Sequence, residues 1–378
     1  MNGGIFMKKR FLAWMLSLCM IVPLAACGGG DNEQADANVS EQGTIMVDGM
    51  EVGSGLEEEE AAAAELDENP DREIDRAGEP IKPIPDEMLD GTLLTDEFYY
   101  YRSTLDKTKQ QAYDLLRAGV LAGKAEIKMT VPVSKDEIFD IYKKVLYDGP
   151  ELFWAEINGA KYAYNNSNQV TKFIPAYNAL AQDIKGNVAK LEAATNEALA
   201  DMWSLPTDVE KAKYAHDWLT YHVTYDLNAA YHQTGYSALV NHATVCAGYS
   251  HGFQYLMQQV GIPCAYVLGN AMGQNHAWNV VKLDGEHYAM DVTWDDPLGA
   301  KANSFYYTYF NITDQKLSND HTRAVISEPV PLAKGTDCNY QNAFGGNAAG
   351  TDFDGIQGTL PEKSASGEKN SAAGNPYL

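Results

Sequence analysis

The sequence predicts a body that mixes helices with antiparallel strands, and two observations support this. Apolar residues recur at helical spacing after Cys246, which indicates a helix of about fifteen residues that begins at the cysteine. Two strand-like segments, 276–283 and 286–294, flank Asp284-Gly285, a strong signal for a two-residue hairpin turn. The helix and the hairpin together predict a helix packed on an antiparallel sheet.

Other segments of the body also have helix or strand patterns, but they form no chemical constellation. Helices are expected at 96–118, 178–203 and 208–223, with strands at 125–133, 150–154, 161–164 and 264–268 and a loop at 269–275. Ser134 and Glu137 have the spacing of a capping box at the start of another helix. We predict an N-terminal α/β accessory domain, 93–205, with a structural or substrate-positioning role, and a second domain, 206–344.

The N-terminus has the pattern of a secretory signal. A basic stretch from Met7 to Arg10 precedes an apolar run that is too short for a comfortable membrane span. The run ends in Leu24-Ala25-Ala26-Cys27-Gly28, which resembles the lipobox of bacterial lipoproteins. That resemblance implies cleavage before Cys27 and lipid modification of its thiol and amine, within a signal peptide of residues 1–27. The alternative is an ordinary cleaved signal without lipid.

The segment that follows the signal is strongly acidic. Between residues 28 and 90 stand 20 acidic and 3 basic residues, which is 17 of the chain's 24 net negative charges. Few large apolar residues are present, so we predict a disordered tether over 28–92. The tail, 345–378, is rich in Gly, Ala and Ser and is also expected to be disordered.

Composition also limits the partners and cofactors. The body has no basic patch interleaved with aromatic residues, so nucleic acid is not expected as a partner. No Cys-x-x-Cys spacing occurs, which argues against a structural zinc site. Beyond the signal and its last cysteine, the thiols are Cys246, Cys264 and Cys338, an odd number, so at least one is unpaired within a monomer.

Cys246, His276 and Asp291 form the candidate catalytic set. A thiol needs a base to become a nucleophile, and the base needs a carboxylate that fixes its tautomer. A helix N-terminus stabilises a thiolate, and the amide of Cys246 is a natural oxyanion donor. Tyr236 is the candidate for a second donor. Each residue also has a structural interpretation: an inert core thiol, a hydrogen-bonded histidine and a carboxylate that binds nearby backbone.

The hairpin register selects the aspartate. With a two-residue turn, the residue numbers of any two directly opposed residues add up to 569, so His276 faces Thr293. Asp291 is two residues from Thr293, so His276 and Asp291 become diagonal neighbours on one face of the sheet. His287 would lie roughly 20 Å from His276 along the strand, which excludes it. Asp296 has the wrong parity and Asp295 lies past the paired region. The other histidines, including His216 and His321, have no triad-like context in the sequence.

The same residues resemble the bacterial transglutaminase-like domain. The matching motifs are Thr244-Val245-Cys246-Ala247-Gly248-Tyr249-Ser250, Gly261-Ile262-Pro263, Asn275-His276-Ala277-Trp278-Asn279 and Asp291-Val292-Thr293-Trp294-Asp295-Asp296-Pro297. The resemblance implies a papain-like α+β fold with Cys246 as nucleophile, His276 as base and then acid, and Asp291 as its orienter. It implies acyl transfer without a metal or cofactor. One departure is Ser250, where many members carry alanine.

Three functions follow from this resemblance and the predicted location. The leading hypothesis is a lipid-anchored extracytoplasmic peptidase or amidase that acts on protein or peptidoglycan peptides. The second is a transglutaminase that crosslinks glutamine to an amine. The third is a surface binding or scaffold protein that keeps the fold without turnover. A monomer that contacts the membrane only through its lipid anchor is expected.

Overall fold

The chain folds as two compact units that meet between Val188 and Ala189. The computed structural model describes residues 44–47, 50–52, 96–297, 304–345 and 351–352. The predicted signal peptide lies outside these ranges, as do most of the tether and the tail. Within them, no helix combines the length and the apolar character needed to cross a bilayer. The predicted domain boundary at 205/206 falls beyond the division, and the domain limits stay a prediction.

The first unit is built on an antiparallel sheet with strand order β2-β1-β4-β5-β3. Its strands are β1 (Thr44–Val47), β2 (Met50–Val52), β3 (Ile127–Lys128), β4 (Ala155–Tyr164) and β5 (Val170–Tyr177). Its helices are α1 (Tyr100–Ser103), α2 (Lys107–Leu121) and α3 (Ile138–Asp148). The two strands β1 and β2 lie within the segment predicted to be a disordered tether, and the disorder of that segment stays a prediction. Their sequence, an apolar run interrupted by Asp48-Gly49, has the hairpin pattern.

The helix predicted over 96–118 is two helices. Asp106 separates them, and its side chain accepts a hydrogen bond from the backbone N–H of Lys109 at 3.0 Å. Aspartate satisfies free N–H groups at a helix start, so it favours a new N-terminus over a continuous helix. The helical spacing of apolar residues alone does not predict this interruption at Asp106.

The capping box predicted at Ser134 is wrong. The hydroxyl of Ser134 accepts from the N–H of Asp136 at 3.2 Å, and α3 begins only after Glu137, which makes no side-chain cap. The strand predicted over 125–133 is reduced to β3. The segment 150–154 is a turn, and its Trp154 is buried with its indole N–H donating to the carbonyl of Val120 at 3.0 Å.

The second unit contains a four-stranded antiparallel sheet with strand order β10-β9-β8-β12. Its strands are β8 (Cys264–Ala271), β9 (Gln274–Leu283), β10 (Glu286–Met290) and β12 (His321–Arg323). Smaller pairs join β6 (Thr224–Tyr225) to β7 (Ala243–Thr244), and β11 (Ser304–Phe305) to β13 (Thr351–Asp352). The strand β13 lies in the tail predicted to be disordered, and the disorder of that tail stays a prediction.

The helices of this part of the chain agree in part with the prediction. They are α5 (Asp208–His222), α6 (Cys246–Gln259), α7 (Asp314–Leu317) and α8 (Tyr340–Phe344). The helix α4 (Ile184–Ala198) crosses the division between the units, and the predicted 178–203 helix is shortened to it, with 3-10 turns on either side. A capping box begins α5, where Thr207 and Glu210 bind each other's backbone N–H groups.

The helix α6 packs against β8 and β9, as the predicted fold class requires. It ends as expected, because Gly261 has a positive φ of 79° and the backbone N–H of Ile262 donates to the carbonyl of Met257. The loop predicted over 269–275 is wrong: β8 continues to Ala271 and pairs directly with β9 across Met272-Gly273. Both turn residues have positive φ, as a tight hairpin turn needs.

The packing of α2 on β3 predicts a strict size limit at Gly119. A Cβ atom there would lie 2.5 Å from Cγ1 of Ile127, which real side chains do not tolerate. We expect Gly119→Ala to destabilise the protein by about 1–3 kcal/mol through overpacking. Gln111→Ala, on the exposed face of the same helix, is the control and should change stability by less than about 0.5 kcal/mol. Equal stability of the two variants in denaturant unfolding would contradict this packing.

Candidate active site

Cys246 is the first residue of α6. Val245 precedes it in an extended conformation, which is the geometry of a helix N-cap. The first N–H groups of a helix have no partner within it, so they surround the thiol with positive dipole ends. Cys246, Cys264 and Cys338 are all free thiols, and Cys246 is the one of the three that is not fully buried. The predicted nucleophile is therefore both accessible and electrostatically favoured.

Close packing fixes the first turn of α6. A side chain at Gly248 would overlap the hydroxyl of Thr244 and come within 2.9 Å of the carbonyl oxygens of His232 and Thr234. The hydroxyl of Thr244 donates to the carbonyl of His232 at 2.6 Å. The absence of a side chain at Gly248 lets this loop lie directly on the helix start that carries Cys246.

Two polar side chains tie α6 to the rest of the site. The hydroxyl of Tyr249 donates to Oδ2 of Asp296 at 2.7 Å, which links the helix to the segment after β10. The amide of Asn279 donates to the carbonyls of Ser250 and Ala265, which links α6 to β8 and β9. Asn279 and Tyr249 therefore hold the helix and the hairpin in one fixed arrangement.

The hairpin has the predicted register. Glu286 pairs with Leu283 and Met290 with Asn279, so each opposed pair sums to 569. Asp284 and Gly285 both have positive φ, 49° and 87°, as a type I′ turn requires. The parity argument is confirmed by the resulting contact, because Nε2 of His276 lies 2.7 Å from Oδ2 of Asp291.

The histidine and the aspartate are buried and strongly coupled. Burial lowers the pKa of His276. The charge of Asp291, its hydrogen bond and the Cys246 side chain outweigh burial and raise this pKa to about 10. Burial raises the pKa of Asp291, and His276 and His321 together hold it below its usual range. The structure therefore brings the three predicted residues together, because His276 interacts with both the Cys246 side chain and Asp291.

The structure adds a histidine that the sequence analysis did not select. Nε2 of His321 lies 3.1 Å from the same oxygen, Oδ2 of Asp291, that binds His276. The backbone N–H of Trp294 donates to the other oxygen, Oδ1, at 3.2 Å. His321 comes from β12, thirty residues beyond Asp291, and no local pattern connects it with the hairpin. Only the pairing of β12 with β8 brings it here.

The rejected residues have other roles in this unit. Asp295 accepts two hydrogen bonds from the backbone N–H of Tyr309 and lies 3.3 Å from Nε2 of His216. His216 also contacts Asp217, and these carboxylates overcome burial to raise the pKa of His216 to about 9. His216 therefore has carboxylate partners that the sequence did not indicate, but neither of them is Asp291, the carboxylate of the candidate catalytic set. His287 pairs with Lys282, as the register predicts.

Tyr236 is buried at the start of a π-helix, Ser237–Asn241. The assignment of its hydroxyl as an oxyanion donor stays a prediction, as does the same role for the amide of Cys246.

The cluster His276, Asp291 and His321 also has the composition of a metal site. Its ligand atoms lie within 4.8 Å of one another. The two nitrogen–oxygen distances, 2.7 and 3.1 Å, are within the range of N–H···O hydrogen bonds, so hydrogen bonds account for both contacts. The expectation that the site uses no metal and no cofactor stays a prediction.

Fold and site together define a class: an α+β domain in which a helix that begins at a cysteine packs on an antiparallel sheet carrying histidine and aspartate. Residues 197–292 match the model of the Transglutaminase-like superfamily. This finding confirms the resemblance read from the motifs.

Individual relatives are distant. The chain is similar to "Kyphoscoliosis peptidase" of Homo sapiens, with 25% identity over 157 residues that cover 36% of this chain and 24% of the relative. The Mus musculus protein of the same name is 24% identical over 147 residues, covering 34% of this chain and 22% of its own length. The chain thus spans about a quarter of these relatives. A solved structure of "a TGase" matches with a TM-score of 0.26 and 13% identity, covering 44% of this chain and 50% of that chain.

The coupling of His276 to Asp291 predicts a pH-dependent contribution to stability. The raised pKa of His276 gives stability that is fully present below about 6.5 and is lost as pH rises through about 10. The lowered pKa of Asp291 gives stability that is present above 3.8 and is lost as pH falls below that value. Asp291→Asn should therefore destabilise the protein most between these limits, by about 3 kcal/mol, and by progressively less as pH rises toward 10.

Chemical unfolding across this pH range measures the difference. Glu286→Gln, which removes an exposed carboxylate from the same hairpin, is the control and should show no such pH dependence. A constant difference between wild type and Asp291→Asn at all pH values would mean that the two side chains are not coupled as the geometry requires.

Proposed function

We propose that the chain is a cysteine-dependent acyl-transfer enzyme that cleaves amide bonds of proteins or peptides by hydrolysis. One observation carries the proposal: the Cys246 side chain interacts with His276, whose Nε2 lies 2.7 Å from a buried carboxylate. A structural histidine requires neither a thiol on one side nor a buried charge on the other. The superfamily match and the peptidase name of the two relatives support the same reaction class.

The proposed reaction uses each group in turn. The thiolate of Cys246 attacks the amide carbonyl, and His276 gives its proton to the leaving amine, which yields a thioester. Water, deprotonated by His276, then attacks the thioester and releases the carboxylic acid and the free thiol. Asp291 remains ionised throughout and holds the imidazole in orientation. The amide of Cys246, with Tyr236 as second candidate, would donate to the oxyanion.

Two alternatives keep the same site. If an amine replaces water in the second step, the product is a new amide and the enzyme is a transglutaminase. If the thiolate does not form, the domain is a binding or scaffold module. The peptidase name of the relatives favours hydrolysis, but it belongs to proteins of which the chain covers about a quarter.

We also propose the surroundings in which this chemistry takes place. The basic and apolar N-terminus and Cys27 favour a lipid anchor on the extracytoplasmic face of the membrane, with the acidic segment as a spacer. Substrates would then be envelope or environmental peptides, including peptidoglycan peptides. The first unit would have a structural or substrate-positioning role, and no nucleic acid partner and no oligomer are expected.

The proposal predicts selective reactivity of Cys246. At neutral pH, iodoacetamide should alkylate Cys246 much faster than Cys264 or Cys338, since burial raises the pKa of both other thiols. His276→Ala should slow the labelling of Cys246 by about 100-fold or more, because the imidazolium partner of the thiolate is lost. Peptide mapping by mass spectrometry measures each site separately. A wild-type Cys246 that reacts no faster than a free cysteine would favour the scaffold alternative.

The products decide between water and amine as acceptor. We expect the wild type to cut peptide bonds, or to release ammonia from glutamine side chains, without incorporating an added primary amine. Cys246→Ala is the control and should do neither. Amine incorporation that depends on Cys246 would contradict hydrolysis and establish the transferase. Proteomic mapping of bonds cut or formed by wild type against Cys246→Ala then identifies the substrate.

A further inference from the structure

His321 faces a carboxylate on each side of its ring. Nε2 lies 3.1 Å from Oδ2 of Asp291, and Nδ1 lies 2.5 Å from Oδ1 of Asp320. A neutral imidazole has one donor nitrogen, whereas the imidazolium has two. An ionised carboxylate can only accept, so the imidazolium is the one form of His321 that can donate to both carboxylates.

Asp291 collects donors from three directions. Oδ2 accepts from His276 and from His321, and Oδ1 accepts from the backbone N–H of Trp294. Of these three donors, His276 is the one that loses and regains a proton during the proposed reaction. The other two contacts leave Asp291 little freedom to turn away from His276 when that proton moves.

Further groups fix His321 itself. The hydroxyl of Tyr309 donates to Oδ2 of Asp320 at 2.7 Å, while the carbonyl of Tyr309 accepts from the backbone N–H of Asp291 at 3.2 Å. The indole rings of Trp278 and Trp294 lie 5.1 and 4.5 Å from the His321 ring. His321 is 4% exposed, so this chain of charges lies in a medium where hydrogen bonds are stronger than in water.

We propose that His321 is a positioning residue of the acyl-transfer site. It holds Asp291 in place and offsets part of the electrostatic attraction between Asp291 and His276. The inference rests on the proposed function, because it assigns to His321 a task in that reaction. His321 touches neither the thiol nor the scissile bond in this role, so it acts through its contact with Asp291 and through its charge.

The charge of His321 has a predictable effect on His276. The ring centres of the two histidines are 5.3 Å apart, and both bind one carboxylate oxygen. A positive charge at this distance opposes the protonation of His276 and offsets part of the attraction from Asp291. Titratable groups facing His321 are Asp291, Asp320, His276 and Tyr309. Removal of the His321 charge should therefore raise the pKa of His276 above its present value.

The test is the pH dependence of Cys246 alkylation in the full chain. In His321→Gln, an amide can still donate to Asp291 but carries no charge. We expect labelling at neutral pH to fall by roughly 10- to 100-fold, since glutamine lacks the ring contacts that fix His321 and therefore holds Asp291 and His276 in alignment less firmly. We also expect the alkaline inflection of the profile, which reports His276, to move to higher pH. Asp320→Asn should give a smaller shift in the same direction. His287→Gln, on the β9–β10 hairpin, is the control and should match the wild type.

The outcomes separate this inference from the proposed function. Slower labelling with a shifted inflection supports the positioning role. A lower melting temperature with an unshifted inflection means that His321 is only structural, and wild-type behaviour of His321→Gln means that it has no role; either result overturns the inference and leaves the proposed function intact. A wild-type Cys246 without His276-dependent reactivity overturns both.

A measurement on the wild type covers the case in which the His321 variants do not fold. Nitrogen-15 NMR of the histidine rings at neutral pH should find a proton on both nitrogens of His321. A neutral ring there would overturn the inference, because a neutral ring cannot donate to Asp291 and Asp320 together.

Discussion

The buried carboxylate of Asp291 is the interaction on which the second unit's site depends. A charge 1% exposed to solvent is costly unless donors surround it, and here two imidazoles and one backbone N–H do so. These donors come from β9, from β12 and from the turn after β10. The carboxylate can therefore remain ionised only when the sheet is complete. The same contacts thus stabilise the fold of this unit and position the groups of its candidate active site.

A second set of charges lies beside the first and shares Tyr309 with it. His216 is placed between Asp217 and Asp295, and Asp217 also receives the ammonium of Lys213 at 2.5 Å. Burial raises the pKa of Asp295 to about 6, so at neutral pH it is ionised and His216 carries the opposite charge. The backbone of Tyr309 binds both Asp291 and Asp295. The charges of these two sets are thus compensated, because each carboxylate of a set lies beside at least one imidazole of the same set.

The sequence predicted what short-range rules determine and missed what distant contacts determine. Hairpin parity and turn chemistry were sufficient to pair His276 with Asp291, because two residues with positive φ leave one register. The apolar spacing after Cys246 was sufficient to predict that a helix begins at this residue. His321 was missed because its place follows from the pairing of β12 with β8, which no local pattern encodes. Inside the first unit, Asp106 divided a periodic segment because capping outweighed periodicity.

The position of β12 bears on what counts as the smallest complete form of this domain. Similarity to the superfamily model ends at residue 292, yet the sheet is finished by a strand that starts at residue 321. A fragment that stopped at the limit of similarity would leave β8 with an unpaired edge, the kind of edge to which other chains add in aggregation. Evolutionary resemblance and structural self-sufficiency therefore have different boundaries in this protein, and the second extends further along the chain.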